Sequence, residues 1–227
     1  MEILQRSGKN LTYLVAQPDD FHPESKYPVV MFLHGFGANM YDLINLAQEI
    51  DPGKYIYVFP NAPVPVAINP TVSGFSWTRY PGTLDENELR DRQGLIVELI
   101  EDITSQYQVN PGKVILGGFS QGALLTYIDG LTNPDKFAGL ICLSGIEIDQ
   151  NIISSLPHEH RSQQLFIAHG INDPVVSINS ARRTRDILEK ANYSINYNEY
   201  PIGHSISQEV INDLIPWIET ALNSPDL

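Results

Sequence analysis

Hydrophobic and polar positions along this chain switch between two regimes. Residues 29–33, Val-Val-Met-Phe-Leu, are an unbroken apolar run, as expected of a strand covered on both faces. From 39 to 50 the spacing becomes helical, with Leu43, Leu46, Ala47 and Ile50 on one face. Residues 55–59 read as the next strand. Residues 61–82 carry Pro and Gly without a period and predict a long surface loop. A helix follows over 84–107, with Leu95, Leu99, Ile100 and Ile103 on one stripe. Strands are predicted at 114–116, 138–143, 165–168 and 194–200, the last by strict alternation. Helices are predicted at 121–131, 179–191 and 207–222, the second with Arg182, Arg183 and Arg185 outward and the third bent at Pro216. No repeat, low-complexity tract or linker-like break interrupts the series. Such alternation implies an α/β fold, a mostly parallel central sheet with helices on both faces, in a single domain over residues 1–227. In sheets of this kind the reactive loops lie beyond the carboxyl ends of the strands.

The chemistry-bearing motifs fall at those ends. Gly118-Phe119-Ser120-Gln121-Gly122 follows the strand at 114–116 and opens a helical run, the context a G-x-S-x-G nucleophile elbow requires. A serine in so sharp a turn needs small neighbours, and a helix N-terminus beside it favours developing negative charge. The hydroxyl needs a base, and this type of elbow orders the partners Ser, then Asp or Glu, then His. His158 and His160 sit in a polar stretch and read as surface residues. His169 ends a strand but precedes the best acid. His204, just past the strand at 194–200 and before the last helix, is the candidate base; a structural histidine is the alternative. Asp173, in the turn His169-Gly170-Ile171-Asn172-Asp173-Pro174, is the candidate acid, with Glu147 and Asp149 as rivals. An oxyanion hole needs two backbone N–H groups. Gln121 supplies one candidate, and Phe36, in His34-Gly35-Phe36-Gly37, supplies the other. His34 precedes the serine and belongs to this loop.

Composition narrows the partners. The formal charge of −13 disfavours nucleic acid and polyanionic substrates. No apolar stretch approaches the ~20 residues that cross a bilayer, so no membrane insertion is expected. The N-terminus carries no secretory leader pattern. The one cysteine, Cys142, lies in an apolar run and reads as a buried core residue, consistent with a reducing cytoplasm. Helix faces and aromatic loops suit a monomer or a weak homodimer.

Together, His34-Gly35-Phe36-Gly37, Phe59-Pro60-Asn61-Ala62-Pro63, residues 117–123, Asp173-Pro174-Val175-Val176 and residues 203–207 resemble the phospholipase/carboxylesterase family over about residues 29–220. That resemblance implies an α/β-hydrolase fold without a large cap domain, no metal or organic cofactor, and ester or thioester hydrolysis. It carries the catalytic roles onto Ser120, Asp173 and His204, and supports Phe36 and Gln121 as oxyanion donors. Within residues 64–80 only Trp77 resembles the family's pattern. Phe75, Trp77 and Tyr80 are candidates to line an apolar acyl pocket, with core packing as the alternative. The expected activity is a serine carboxylesterase acting on neutral, small to medium acyl esters as small-molecule substrates. Thioester or lysophospholipid cleavage at the same site, and a non-catalytic ligand-binding module of this fold, are the rival readings.

Overall fold

A computed structural model describes residues 1–79, 86–110, 112–156 and 163–224. In chain order the elements are β1 (Glu2–Ser7), β2 (Thr12–Gln17), β3 (Val29–Leu33), α1 (Asn45–Ile50), β4 (Ile56–Pro60), β5 (Val64–Asn69), β6 (Val72–Ser76), α2 (Glu86–Gln106), β7 (Val114–Phe119), α3 (Gln121–Thr132), β8 (Gly139–Leu143), α4 (Gln150–Ser155), β9 (Gln164–Gly170), α5 (Ile178–Lys190), β10 (Ser194–Tyr200) and α6 (Gln208–Asn223). Eight strands form one sheet in the order β1-β2-β4-β3-β7-β8-β9-β10. From β4 to β10 neighbours run parallel; β1 and β2 join antiparallel at one edge. The order reverses beside β3, because the chain passes from β3 outward to β4 and returns to β7 on the other flank. Such a switch point opens a crevice at the carboxyl ends of the two strands.

Strand parity divides the interior into two cores. Val29, Met31 and Leu33 of β3 pack on one face with Leu116 of β7, Ile96, Leu99 and Ile103 of α2, and Ala123 and Tyr127 of α3. Val30 and Phe32 pack on the other with Ile115, Ile141, Leu46 of α1, and Leu214 and Trp217 of α6. Burying both faces explains why β3, β7 and β8 read as continuous apolar runs. Among the described residues no helix is long and apolar enough to cross a membrane, and no large cap covers the sheet edge.

Two expectations from the sequence are corrected. Residues 64–76 form a two-stranded hairpin rather than a loop. Asn69 Oδ1 accepts the N–H groups of Thr71 and Val72 at 3.0 and 2.9 Å and closes its turn, and Pro65 is tolerated because this ribbon has no further strand to pair. The helix predicted from residue 39 begins only at Asn45. Asn61 Oδ1 takes the Met40 N–H at 2.7 Å and Asn39 Oδ1 takes the Tyr41 N–H at 2.9 Å, so side chains hold 39–44 in turns. The antiparallel pair β1–β2 was not anticipated, nor was the short α4.

Candidate active site

Ser120 links β7 to α3 with φ 55° and ψ −112°, a region that costs a non-glycine residue about 1–3 kcal/mol. Its N–H donates to the Leu143 carbonyl of β8 at 2.9 Å, which fixes the turn. The flanking glycines are required by space: a Cβ on Gly118 would collide with the Gly122 backbone, and one on Gly122 with the Leu33 carbonyl. The strain is therefore built in by backbone-to-backbone contact, and it places the serine at the carboxyl ends of β3 and β7.

Asp173 and His204 reach the same edge from β9 and β10. Their loops press together: Ile171 N–H donates to Tyr200 O at 2.8 Å, Asn172 N–H to Ile202 O at 3.0 Å, and a Cβ on Gly170 would strike the Gly203 carbonyl. His204 Nδ1–H donates to Asp173 Oδ2 at 2.7 Å. Asp173 Oδ1 accepts the N–H groups of Val175 and Val176 at 2.8 and 2.9 Å. The carboxylate is 0% exposed and the imidazole 16% exposed. Burial alone would raise the Asp173 pKa, but the His204 hydrogen bond, the two amides and the His204 charge outweigh it and hold the group below the usual carboxylate range. With Nδ1 committed to the acid, Nε2 is the nitrogen left for a hydroxyl. The His204 ring packs on Phe119, beside the serine, with centroids 4.7 Å apart. Among the described residues the Ser120 hydroxyl has no hydrogen-bond partner, His204 included; such bonds are commonly long in unliganded sites and tighten with substrate.

The loop after β3 closes the other side. A Cβ on Gly35 would touch Ser120 Cβ at 3.4 Å, and Gly37 has φ 77°, open to glycine. The N–H groups of Phe36 and Gln121 have no hydrogen-bond partner among the described residues. His34 is structural: Nδ1–H donates to Gly35 O at 2.7 Å, so Nε2 accepts the Ala62 N–H at 3.1 Å, and burial lowers its pKa to about 4, against a weaker upward pull from the Gly35 carbonyl. Trp77 is 1% exposed and its indole N–H donates to His34 O at 2.8 Å, which puts it in the core behind the loop. Phe75 is half-buried against the same core, and the Phe36 side chain is exposed. Tyr80 lies outside the described residues, as do His158 and His160.

The rival acids are spent elsewhere. Glu147 accepts from Arg183 Nε at 2.7 Å, and Asp149 caps α4 through the Asn151 N–H at 2.8 Å. His169, set aside on chain order, proves to be a neighbour of the acid. Its Nε2–H donates to Val176 O at 2.8 Å and lies 3.3 Å from Asp173 Oδ2. Its Nδ1 is buried without a partner among the described residues. Neither this contact nor the side-chain bonds of Gln121 had any signal in the sequence.

A parallel sheet covered on both faces, with a strained serine elbow at its carboxyl edge, defines the α/β-hydrolase class. The profile of the phospholipase/carboxylesterase family matches residues 20–222, and the chain belongs to that family; it is a serine hydrolase. It is 29% identical to acyl-protein thioesterase 1 of Cryptococcus neoformans, an alignment covering 94% of this chain and 98% of that protein. The crystal structure of SOBER1 from Arabidopsis thaliana is similar with a TM-score of 0.76 and 25% identity, over 87% of this chain and 100% of that one. The Bacillus cereus carboxylesterase shares the fold, with a TM-score of 0.75 and 21% identity, over 94% and 95% of the two chains.

Proposed function

We propose that this protein is a carboxylesterase for neutral, small to medium acyl esters, with Ser120 as nucleophile, His204 as general base and Asp173 as the acid that orients it. The observation that carries the reading is the 2.7 Å His204–Asp173 bond set beside a serine in a strained elbow. In this mechanism Ser120 Oγ bonds to the ester carbonyl carbon while its proton passes to His204 Nε2. The carbonyl electrons move onto oxygen, which accepts the N–H groups of Phe36 and Gln121. The C–O bond to the leaving group then breaks, and His204 returns the proton to the departing alcohol. Water repeats the sequence on the acyl-enzyme and releases the acid. Asp173, held ionised, keeps the proton on Nδ1 and stabilises the imidazolium. The exposed Phe36 and half-buried Phe75 supply apolar surface for an acyl group. We assign the enzyme to the cytoplasm, as the lone buried Cys142 suits a reducing compartment, and take its working unit as a monomer or weak homodimer.

The test is hydrolysis of p-nitrophenyl butyrate together with labelling by a fluorophosphonate. Ser120→Ala is expected to lose label and more than ~10⁴-fold in kcat. Label on another residue, or turnover unchanged in that variant, removes the mechanism. Thioester hydrolysis at the same site is a second reading, supported by the relatives' naming as acyl-protein thioesterases. A panel of butyryl ester, butyryl thioester, palmitoyl thioester and lysophospholipid ranks the two; a palmitoyl thioester preferred by tenfold or more favours the second.

A further inference from the structure

The side chain of Gln121 makes three directed contacts that the proposed chemistry does not use. Its Oε1 accepts the Trp77 backbone N–H at 3.0 Å. Because that partner can only donate, the amide orientation is fixed, and Nε2 faces two hydroxyls, donating to Thr78 Oγ1 at 3.0 Å and Ser76 Oγ at 3.1 Å. The Ser76 hydroxyl donates its own hydrogen bond to the Thr78 carbonyl at 2.6 Å. Gln121, Ser76, Trp77 and Thr78 are all buried. The same segment grips the loop after β3. Gly37 N–H donates to Phe75 O and Phe75 N–H to Ala38 O, both at 2.8 Å, while Trp77 Nε1–H holds His34 O at 2.8 Å. Gly74 lies so close to the Gly37 carbonyl that a Cβ there would collide with it.

The two amides assigned to the oxyanion thus belong to elements that the chain separates by more than eighty positions, and one buried bridge joins them. We propose that the Gln121 side chain is a positioning residue that sets the spacing of the oxyanion hole, clamping β6 and, through β6, the loop that carries the Phe36 N–H. Peptide N–H donors act on a transition state only when held at hydrogen-bond distance from the oxygen as it becomes charged, and a misplacement near 1 Å costs on the order of 10²-fold. Buried, satisfied polar networks of this kind hold one geometry, since any shift leaves a polar group unpaired. The inference rests on the reading of Phe36 and Gln121 as oxyanion donors.

The test compares Gln121→Met, which keeps length and loses the polar atoms, with Thr78→Val and Thr78→Ser. Each is assayed for kcat and KM on p-nitrophenyl butyrate and for inhibition by an alkyl trifluoromethyl ketone. The Ser120 oxygen adds to the carbonyl carbon of that ketone, its proton passes to His204, and the alkoxide left on the former carbonyl oxygen occupies the hole. Gln121→Met is expected to lose about 100-fold in kcat and the same factor in ketone affinity, with KM within about threefold. Thr78→Val loses about tenfold in both, and Thr78→Ser, which restores the hydroxyl, stays within about twofold of the parent. A role in folding alone would change melting temperature and leave ketone affinity intact. Folded Gln121→Met and Thr78→Val with parental kcat and ketone affinity overturn the proposal; should Gln121→Met not fold, the Thr78 pair decides. Ser120→Ala run alongside separates the failures: activity retained there removes the proposed function, whereas activity lost there with unaffected clamp variants removes only the clamp.

Discussion

At the scale of single residues, Asp173 shows how hydrogen bonding dictates a protonation state. One oxygen takes two backbone N–H groups and the other takes His204 Nδ1–H. In Asp173→Asn the amide oxygen must remain toward Val175 and Val176, which can only donate. The NH₂ then faces His204 Nδ1 and forces the ring into the tautomer that carries its proton on Nε2, where it cannot accept from serine. The expected result is a fall of ~10⁴-fold in kcat at neutral pH with KM little changed, read from saturation kinetics. Stability changes too, and its sign follows from the depressed pKa. The folded carboxylate releases its proton more easily than the unfolded one, so its contribution is present above the ordinary carboxyl value and is lost as pH falls through the lower, folded value. The Asn variant should therefore fall short of the parent in urea denaturation near pH 7 and approach it in strong acid. The sequence could nominate Ser120, Asp173 and His204 as candidates because their order and positions at strand ends are one-dimensional facts. The Gln121 bridge and the His169 contact were not legible in it, because they depend on which side chains meet across elements far apart in the chain.

At the scale of elements, α3 carries a local conflict. Asp129 sits on this largely buried helix, 0% exposed, and neither carboxylate oxygen has a hydrogen-bond partner among the described residues. Burial drives its pKa well above the ordinary carboxyl value and so favours the neutral acid in the folded chain. An acid raised in this way stabilises fully below its unfolded value and loses that contribution as pH rises, because the unfolded chain gives up a proton that the folded one keeps. Asp129→Asn removes the titration with little change of shape. The variant's stability advantage over the parent is expected to grow with pH, by at most ~1.4 kcal/mol per unit, from pH 5 upward in paired urea titrations. A difference that stays flat across pH 5–8 would show that Asp129 is not held neutral. The same burial explains what the sequence could announce about elements. Strands packed on both faces, such as β3, β7 and β8, betray themselves as apolar runs, and the helices by one apolar stripe. The hairpin β5–β6 hides because β5 is largely exposed, contains Pro65 and draws its register from the Asn69 turn and from Gly37 and Ala38 rather than from a hydrophobic pattern. The start of α1 hides for a related reason, since Asn61 competes for a helical N–H from more than twenty residues away.

At the scale of the whole molecule, charge sets which substrates arrive. Asp and Glu number 27 against 14 Lys and Arg, a formal charge of −13. Several of the cations are locally neutralised: Lys54 by Asp51 and Glu219, Lys136 by Glu101, Arg182 by Glu199, Arg183 by Glu147 and Arg185 by Asp186. These exposed pairs add little stability individually; each cancels one positive charge against one negative charge nearby, and the unpaired surplus of carboxylates sets the far field. A substrate with a free carboxylate therefore approaches against a repulsive potential that a neutral ester does not feel. The Debye length shrinks from about 30 Å at 0.01 M salt to roughly 8–10 Å near 0.1 M, so added NaCl should erase most of the difference. With p-nitrophenyl butyrate and the monoester of succinate as a matched pair, kcat/KM for the neutral ester should stay level between 10 and 300 mM NaCl. For the anionic ester it should rise several-fold, in the encounter-controlled ratio rather than in kcat. If both substrates respond alike, the global field does not reach the crevice, and any preference for neutral esters must come from contacts with the acyl group inside it.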